Sequence, residues 1–143
     1  MKYHFNVVQE GSGFWAKCLE LEGCKIYSAT QESLIQNMKD ALIHYLTEPG
    51  NPKTIFPMPN KNLKGPHIRA VPIDPVIAWA VLLKNARLSR GLSQAKAAKA
   101  LNIKNIYVYQ KLESAKTANP GLTTIARVKK VFPEVNLEEI LDT

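Results

Sequence analysis

The sequence predicts an α+β protein in which a small sheet-and-helix region precedes an all-helical region. Residues 3–8 alternate apolar and polar side chains, which is the period of a half-buried strand. Seven of the nine prolines fall within residues 49–75, where they rule out a helix. Beyond Pro75, apolar residues recur at helical spacing in short segments separated by Gly, Asn and Pro, which predicts a bundle of about five helices.

The N-terminal region, residues 1–48, is predicted to contain about three strands in a meander and one helix. Gly- and Glu-containing turns separate the apolar segments, which places the strands at residues 3–8, 14–19 and 24–27. Thr30 is the expected N-cap of the helix, because a hydroxyl there can accept a hydrogen bond from the first turn. Apolar residues from Leu34 to Tyr45 follow at helical spacing, and Pro49 with Gly50 ends the helix.

Residues 49–75 are predicted to be an extended, Pro-rich linker that is stiffer than a Gly/Ser tether. Within this segment, residues 66–72 form a short apolar stretch that ends at Pro72. Because edge strands tolerate proline, this stretch is a candidate extra edge strand of the N-terminal sheet.

Residues 76–143 form the second predicted domain. Ser93 is the expected N-cap of its second helix, and Asn102 is expected to adopt a left-handed conformation in the turn that follows. Pro75 is well placed to open the first helix. The five helices are placed at residues 76–88, 94–100, 105–112, 122–131 and 137–141.

The net charge of +7 is unevenly distributed along the chain. Lys and Arg number 11 against 5 Asp and Glu within residues 76–143, and 4 against 1 within residues 49–75. Within residues 1–48 they number 4 against 6. A basic domain indicates a polyanionic partner, because neutralising phosphates drives nucleic-acid affinity. A basic surface that serves only solubility is the alternative.

The second and third helices of the helical domain are joined by a tight turn, which is the arrangement that places a helix in the major groove of DNA. In the third helix, Val108, Tyr109 and Leu112 are predicted to form the buried stripe. Amides and hydroxyls bond to base edges, and lysines reach phosphates. The predicted DNA contacts are therefore Ser93, Gln94, Lys104, Asn105, Tyr107, Gln110, Lys111 and Lys116, and the alternative is an ordinary five-helix bundle with a solvated polar face.

Neither catalysis nor a cofactor is predicted. Cys18 and Cys24 lack the spacing of a zinc site, and we expect two buried free thiols in a reducing compartment. The first strand carries no carboxylate that could help to hold the two metal ions of a nuclease. We therefore expect no enzyme, no metal and no cofactor. The sequence shows no signal peptide and no long apolar run, so we expect a cytoplasmic protein.

Several motifs resemble known families. The segment Leu92-Ser93-Gln94-Ala95, with Ala98 and Leu101, is similar to the Cro/C1 (XRE-type) helix-turn-helix of phage repressors. The segment 104–113, followed by Ala118-Asn119-Pro120, resembles HicB-type antitoxins that carry such a domain. The N-terminal half resembles the same family in Met1-Lys2-Tyr3, Gly13-Phe14-Trp15-Ala16, Leu21-Glu22-Gly23-Cys24 and Thr30-Gln31-Glu32-Ser33-Leu34, although Glu22 replaces the proline that is usual before Gly-Cys.

The resemblance implies a partial ribonuclease-H-like fold for residues 1–48, a HicA-type RNA-cleaving toxin as partner, and repression of the toxin–antitoxin operon through operator DNA. The predicted DNA binding also favours a homodimer, because two-fold operators need two recognition helices about 34 Å apart, with a tetramer as the alternative. Acidic residues attract a basic toxin and aromatic residues can anchor it, which makes Glu20, Glu22, Trp15 and Tyr27 the candidate toxin contacts. Core packing is the alternative for the aromatic residues. The competing function is a plain helix-turn-helix repressor with an N-terminal ligand-sensing or oligomerisation module.

Overall fold

A computed structural model describes residues Met1–Thr143 and shows a mixed α+β chain with four strands and six helices. In chain order the elements are β1 (Lys2–Glu10), β2 (Gly13–Cys18), β3 (Lys25–Ser28), α1 (Gln31–Thr47), β4 (Ile68–Pro72), α2 (Pro75–Ser89), α3 (Gln94–Ala100), α4 (Ile106–Glu113), α5 (Leu122–Val131) and α6 (Leu137–Leu141). The chain divides into two compact units. Unit 1 comprises Met1–Glu48, Phe56–Ile73 and Asp142–Thr143, and unit 2 comprises Pro49–Ile55 and Asp74–Leu141.

Unit 1 is an antiparallel sheet in the strand order β3-β2-β1-β4, with α1 packed on one face. The side chains of Phe5 and Ala16 lie on the covered face and are fully buried. Helix α1 begins where the Thr30 hydroxyl accepts a hydrogen bond from the Ser33 backbone, as the sequence predicts. Its apolar side chains recur every four residues, and the four that bury its inner stripe are Leu34, Met38, Leu42 and Leu46.

Residues 56–73 are part of unit 1, whereas the sequence predicts a Pro-rich linker over 49–75 with a possible edge strand at 66–72. Phe56 is buried against Tyr45 of α1, with ring centroids 5.8 Å apart. The Tyr3 hydroxyl donates to the carbonyl oxygen of Pro57 at 2.9 Å, and β4 pairs with β1. Proline prevents helix formation, but it does not prevent an extended segment from burying apolar side chains. Unit 1 therefore contains 7 basic and 7 acidic residues and has no acidic excess.

Glu20 is a structural residue of unit 1 rather than an accessible partner contact. Its carboxylate accepts hydrogen bonds from the backbone of His4 at 2.8 Å and of Asn60 at 3.0 Å, and it pairs with His4 Nδ1 at 2.7 Å. Only 5% of its side chain is exposed. Three donors already bond this buried carboxylate, which corrects its assignment as an accessible toxin contact.

Unit 2 is all-helical, and α2 lies at its centre. Asp74 caps α2 by accepting from the Val76 backbone at 2.8 Å, and Pro75 occupies the first helical turn. Helix α2 is buried on almost every side from Ile77 to Leu83, which is typical of a core helix. Helices α5 and α6 complete the bundle through Val128, Phe132, Val135 and Ile140, all of which are buried.

Cys18 and Cys24 are buried, and both are free thiols. A hydrogen bond between the two side chains lowers the pKa of Cys18 and raises the pKa of Cys24. No group of three or more His, Cys, Asp or Glu side chains is placed to hold a metal ion. None of the six helices combines the length and the apolar character that crossing a lipid bilayer requires.

We expect Glu20→Ala to lower the free energy of unfolding of unit 1 by about 2–4 kcal/mol, because it leaves part-buried backbone donors without an acceptor. The matched control is Glu22→Ala, two residues along and exposed, which should cost less than about 0.5 kcal/mol. Urea unfolding followed by the fluorescence of Trp15, the single tryptophan of unit 1, measures both. Equal effects of the two variants would contradict the structural role of Glu20.

Candidate nucleic-acid interface

Helix α3 is a short helix with strong signals at both ends. Its interior is rich in Ala and Lys, which favour helices, and Ser93 Oγ accepts from the Lys96 backbone at 3.1 Å. At its C-terminus, Asn102 has a φ of 57°. The backbone of Asn102 donates to Lys99 and that of Ile103 donates to Ala98, which is a Schellman motif. The chain therefore turns sharply into α4.

Helix α4 begins at Asn105, whose Oδ1 accepts from the Tyr107 backbone at 2.9 Å. Asn105 is thus the N-cap, and its side-chain oxygen serves the helix rather than a base. Tyr109 and Leu112 are the apolar residues that α4 buries, and Ala97 and Leu101 are buried in α3 and at its end. These small and apolar side chains allow the two short helices to pack closely.

The carboxylate of Glu113, at the end of α4, ties three helices of unit 2 together. Arg87 of α2 donates to it twice, from Nε at 2.8 Å and from Nη2 at 2.6 Å. The Tyr109 hydroxyl donates at 2.5 Å, and Gln94 Nε2 of α3 approaches at 3.4 Å. The pKa of Arg87 is raised by the hydrogen bond to Glu113, and burial together with this carboxylate raises the pKa of Tyr109. A bidentate, fully partnered pair of this kind fixes orientation as well as charge.

Two glutamines connect the start of α3 to the middle of α4. Gln110 Nε2 donates to Gln94 Oε1 at 3.1 Å, and both side chains are half-buried. This bond uses one donor of Gln110 and leaves its Oε1 and its second amide proton for another partner. Gln94 accepts from Gln110 through its side-chain oxygen and donates to Glu113 through its amide, so these two bonds fix its position next to Gln110.

The outward side of α4 carries Tyr107, Val108 and Lys111, and Lys104 is exposed in the turn just before the N-cap. We call these four residues the α4 stripe. Tyr107 is 70% exposed and Val108 is 50% exposed. The exposure of Val108 corrects its assignment to the buried stripe of this helix. Tyr109, Leu112 and Glu113 face the core, and Val108 lies about 100° around the helix from Tyr109. The stripe therefore combines two cations, one aromatic ring and one apolar side chain.

The α4 stripe lies in a basic part of unit 2. Unit 2 contains 12 Lys and Arg against 5 Asp and Glu. Within residues 92–121 the single carboxylate is Glu113, which is buried and paired. Five lysines of the same segment are exposed, and they are Lys96, Lys99, Lys104, Lys111 and Lys116. An anion that approaches α3 and α4 meets no accessible carboxylate from that segment.

A broad groove of about 790 Å³ lies beside the Gln94–Gln110 pair. Lys53 and Lys84 line it together with Ser93, and Ile55 and Leu88 supply apolar walls. Burial lowers the pKa of Lys84, and the nearby Arg87 lowers it further while Glu113 opposes that effect. The groove offers cations and a hydroxyl to a phosphate at the side of the α4 stripe.

The structure brings most of the predicted DNA contacts to one region and separates them by role. Lys104, Tyr107 and Lys111 are exposed, and Lys116 is exposed just beyond α4. Ser93 and Asn105 are exposed N-caps, and Gln94 and Gln110 are paired internally. Sequence reasoning missed the network of Glu113 and Arg87. The one signal for it in the sequence was an Arg and a Glu on the two helices on either side of α3.

The candidate toxin contacts lie in unit 1 and do not form one acidic surface. Trp15 and Tyr27 are 43% and 50% exposed, so neither is a core residue. Glu22 is exposed in the loop before β3, and its carbonyl oxygen accepts from the Tyr45 hydroxyl of α1. Trp15 and Tyr27 lie on the sheet face opposite α1.

A scan against protein-family models finds no match to this chain, and a search of curated proteins finds no similar sequence.

We expect Glu113→Ala to lower the free energy of unfolding of unit 2 by about 3–5 kcal/mol, because Arg87 would remain buried without its counter-charge. The matched control is Glu134→Ala, which breaks the exposed pair with Arg90 and should cost less than about 1 kcal/mol. Urea unfolding followed by the fluorescence of Trp79, the single tryptophan of unit 2, separates the two. Costs of similar size would show that the buried pair is dispensable.

Proposed function

We propose that this chain is a DNA-binding repressor in which α3 and α4 form a helix-turn-helix unit. One observation carries the proposal: the α4 stripe exposes two lysines, a tyrosine and a valine in a segment whose only carboxylate is buried and paired. A helix with these side chains on its outer side suits the major groove, where cations and polar groups meet phosphates and base edges.

In this proposal the residues of α4 divide the work of binding. Lys111 and the free amide groups of Gln110 reach base edges, and Val108 contacts the methyl group of thymine. Lys104, Lys96 and Lys116 bind backbone phosphates, and the caps Ser93 and Asn105 hold the ends of the helices. The Glu113 network sets the orientation of α4 before DNA arrives, which lowers the entropic cost of binding.

A homodimer belongs to the same proposal. One short helix makes few base contacts, and two-fold operators require two reading helices about 34 Å apart. Unit 2 exposes Leu122 at the start of α5 and Leu141 at the end of α6, at 86% and 69% respectively. Apolar side chains with this exposure are suitable contacts between two copies of unit 2, and a sheet-edge contact that builds a tetramer is the alternative.

We expect Lys104→Ala/Lys111→Ala to reduce the magnitude of the negative slope of log affinity against log salt by about 1–2, because the phosphate contact of Lys104 and the cation that Lys111 places in the groove are both lost. The measurement is fluorescence anisotropy with duplexes that cover the DNA upstream of the protein's own gene, over a range of salt concentrations, with the stoichiometry read at saturation. Two chains per site are expected.

The matched control is Lys39→Ala/Lys64→Ala, which removes the same charge from unit 1. This variant should keep the salt slope and the affinity of the unmodified protein. If both double variants weaken binding equally, net charge rather than the α4 stripe carries the affinity, and the helix-turn-helix proposal fails.

We further propose that the repressor is a HicB-type antitoxin whose unit 1, with a partial ribonuclease-H-like fold, binds a HicA-type toxin. The sequence motifs support this proposal, and so does the outer side of α1. That side exposes Ile35 and Ile43, at 58% and 42%, beside the exposed carboxylates of Glu32 and Asp40. An apolar surface flanked by acidic groups suits a small basic protein. Glu22 lies next to α1 and extends the acidic surface.

The toxin proposal is tested with the small basic protein encoded beside this gene. Glu32→Lys/Asp40→Lys should weaken its binding about tenfold or more, since like charges then face each other. Lys17→Glu on the opposite face of the sheet is the control and should not weaken it. Calorimetric titration gives both affinities. Unchanged binding by the α1 variant would contradict docking on α1.

The plain repressor with a ligand-sensing module is the second candidate, and a groove of about 350 Å³ in unit 1 favours it. Val7, Leu34 and Met38 line this groove, and Arg69 and His67 stand at its side. If no small basic reading frame lies beside the gene, this candidate replaces the antitoxin proposal and leaves the DNA-binding proposal unchanged.

A further inference from the structure

The face of the sheet opposite α1 carries a row of exposed apolar side chains across three strands. Val8 of β1 is paired with Trp15 of β2, and Trp15 is paired with Tyr27 of β3. Their exposed fractions are 53%, 43% and 50%. Neighbouring strands are about 4.8 Å apart, so the row extends about 10 Å across the sheet. Large apolar side chains that are grouped in this way, rather than scattered, mark a binding surface.

The two aromatic rings of this row are held in place by the sheet. Trp15 and Tyr27 pack against each other with ring centroids 5.3 Å apart and planes tilted by 57°. The ring of Tyr27 lies over Gly13, where even a Cβ atom would come within 2.0 Å of its hydroxyl oxygen. Gly13 therefore allows Tyr27 to lie close to the sheet. Rings that are fixed in advance lose little entropy when a ligand binds.

A second row lies two residues along the same strands from the first row, and it is basic. Lys17 of β2 is paired with Lys25 of β3, and both are exposed. Neither lysine takes part in an ion pair. Residues two apart on a strand are separated by about 7 Å, so the cations lie beside the aromatic row. One carboxylate, Glu10, lies on this face at the far end of β1, beside the hairpin turn.

We propose that this sheet face binds single-stranded nucleic acid, with bases stacked on Trp15 and Tyr27 and phosphates held by Lys17 and Lys25. Aromatic side chains next to cations on an open sheet are the combination that stacks unpaired bases and neutralises their backbone. Lysine is depleted in protein–protein interfaces, and a basic protein would be repelled by this face. The site is separate from the α4 stripe and does not depend on duplex binding.

The test uses the full chain carrying Lys104→Glu and Lys111→Glu, so that the basic surface of unit 2 contributes little. The probes are an oligouridylate and an oligothymidylate of about eight nucleotides, within the site size of one such platform. Binding is followed by the fluorescence of Trp15, since Trp79 is buried and 3% exposed. Stacking of a base on Trp15 should quench its emission. The RNA and DNA arms show whether the 2′-hydroxyl contributes.

Substitutions on this face are expected to change the probe affinity in opposite directions, which distinguishes a specific site from nonspecific binding. Tyr27→Ala should weaken probe binding roughly tenfold or more. Lys17→Glu should weaken it and make its loss with salt less steep, because one phosphate contact is removed. Glu10→Gln should strengthen binding, because it removes the carboxylate at the end of β1 on this face. Ile43→Ala on α1, which is exposed to the same degree as Trp15, is the matched control and should leave the affinity unchanged.

Absence of quenching by both probes would overturn the proposal, and so would equal affinities of Tyr27→Ala and Ile43→Ala. Two other occupants are also outcomes that overturn it. If Tyr27→Ala weakens binding of the adjacent-gene protein but not of either probe, the face docks a protein. If it changes only the mass measured by light scattering, the face joins two copies of this chain.

Discussion

The buried carboxylate of Glu113 is the constraint on which the geometry of unit 2 depends. Removing a charge from water costs several kcal/mol, and the cost is offset only when the partner and the hydrogen bonds are nearly ideal. Arg87, Tyr109 and Gln94 meet this condition from two other helices and from α4 itself. Because each partner belongs to a defined position on α2, α3 or α4, the packing that satisfies the carboxylate also sets how α4 presents its outer side. Burying Glu113 also removes the only negative charge from the surface of residues 92–121. The same buried carboxylate therefore fixes the orientation of α4 and leaves the surface of this segment basic.

Charge also distinguishes the surfaces of unit 1. Its total charge is balanced, but the exposed carboxylates Glu32 and Asp40 lie on α1, whereas Lys17 and Lys25 lie on the opposite face of the sheet. Glu20 belongs to neither surface, because its hydrogen bonds hold β1 to the segment around Asn60. The acidic side of α1 therefore suits a basic partner, and the basic sheet face suits an acidic one. A charge substitution on one face should weaken binding only of the partner that docks there.

Local signals in the sequence were sufficient for most of the helices. The caps Thr30 and Ser93, the left-handed Asn102, and the bounds of α5 and α6 follow from residues that act within one or two turns.

Features that depend on distant contacts were not predictable. β4 lies within residues 66–72, where the sequence predicts an edge strand, but residues 56–65 have no hydrophobic period, so their packing in unit 1 could not be inferred. Arg87 and Glu113 are 26 residues apart, and only the tertiary fold brings them together. Val108 was misplaced because a helix of eight residues has too few turns to define its buried side.

Amide chemical-shift mapping tests most directly whether α4 presents a preset surface to duplex DNA. Titration of the isotope-labelled full chain with the upstream duplex should shift the backbone amides of Lys104, Tyr107, Val108 and Lys111. The indole signal of buried Trp79, which donates to the Leu112 carbonyl at 3.1 Å, should stay in place, because α4 binds without repacking. Shifts confined to unit 1, or shifts spread evenly over all exposed lysines, would contradict the account.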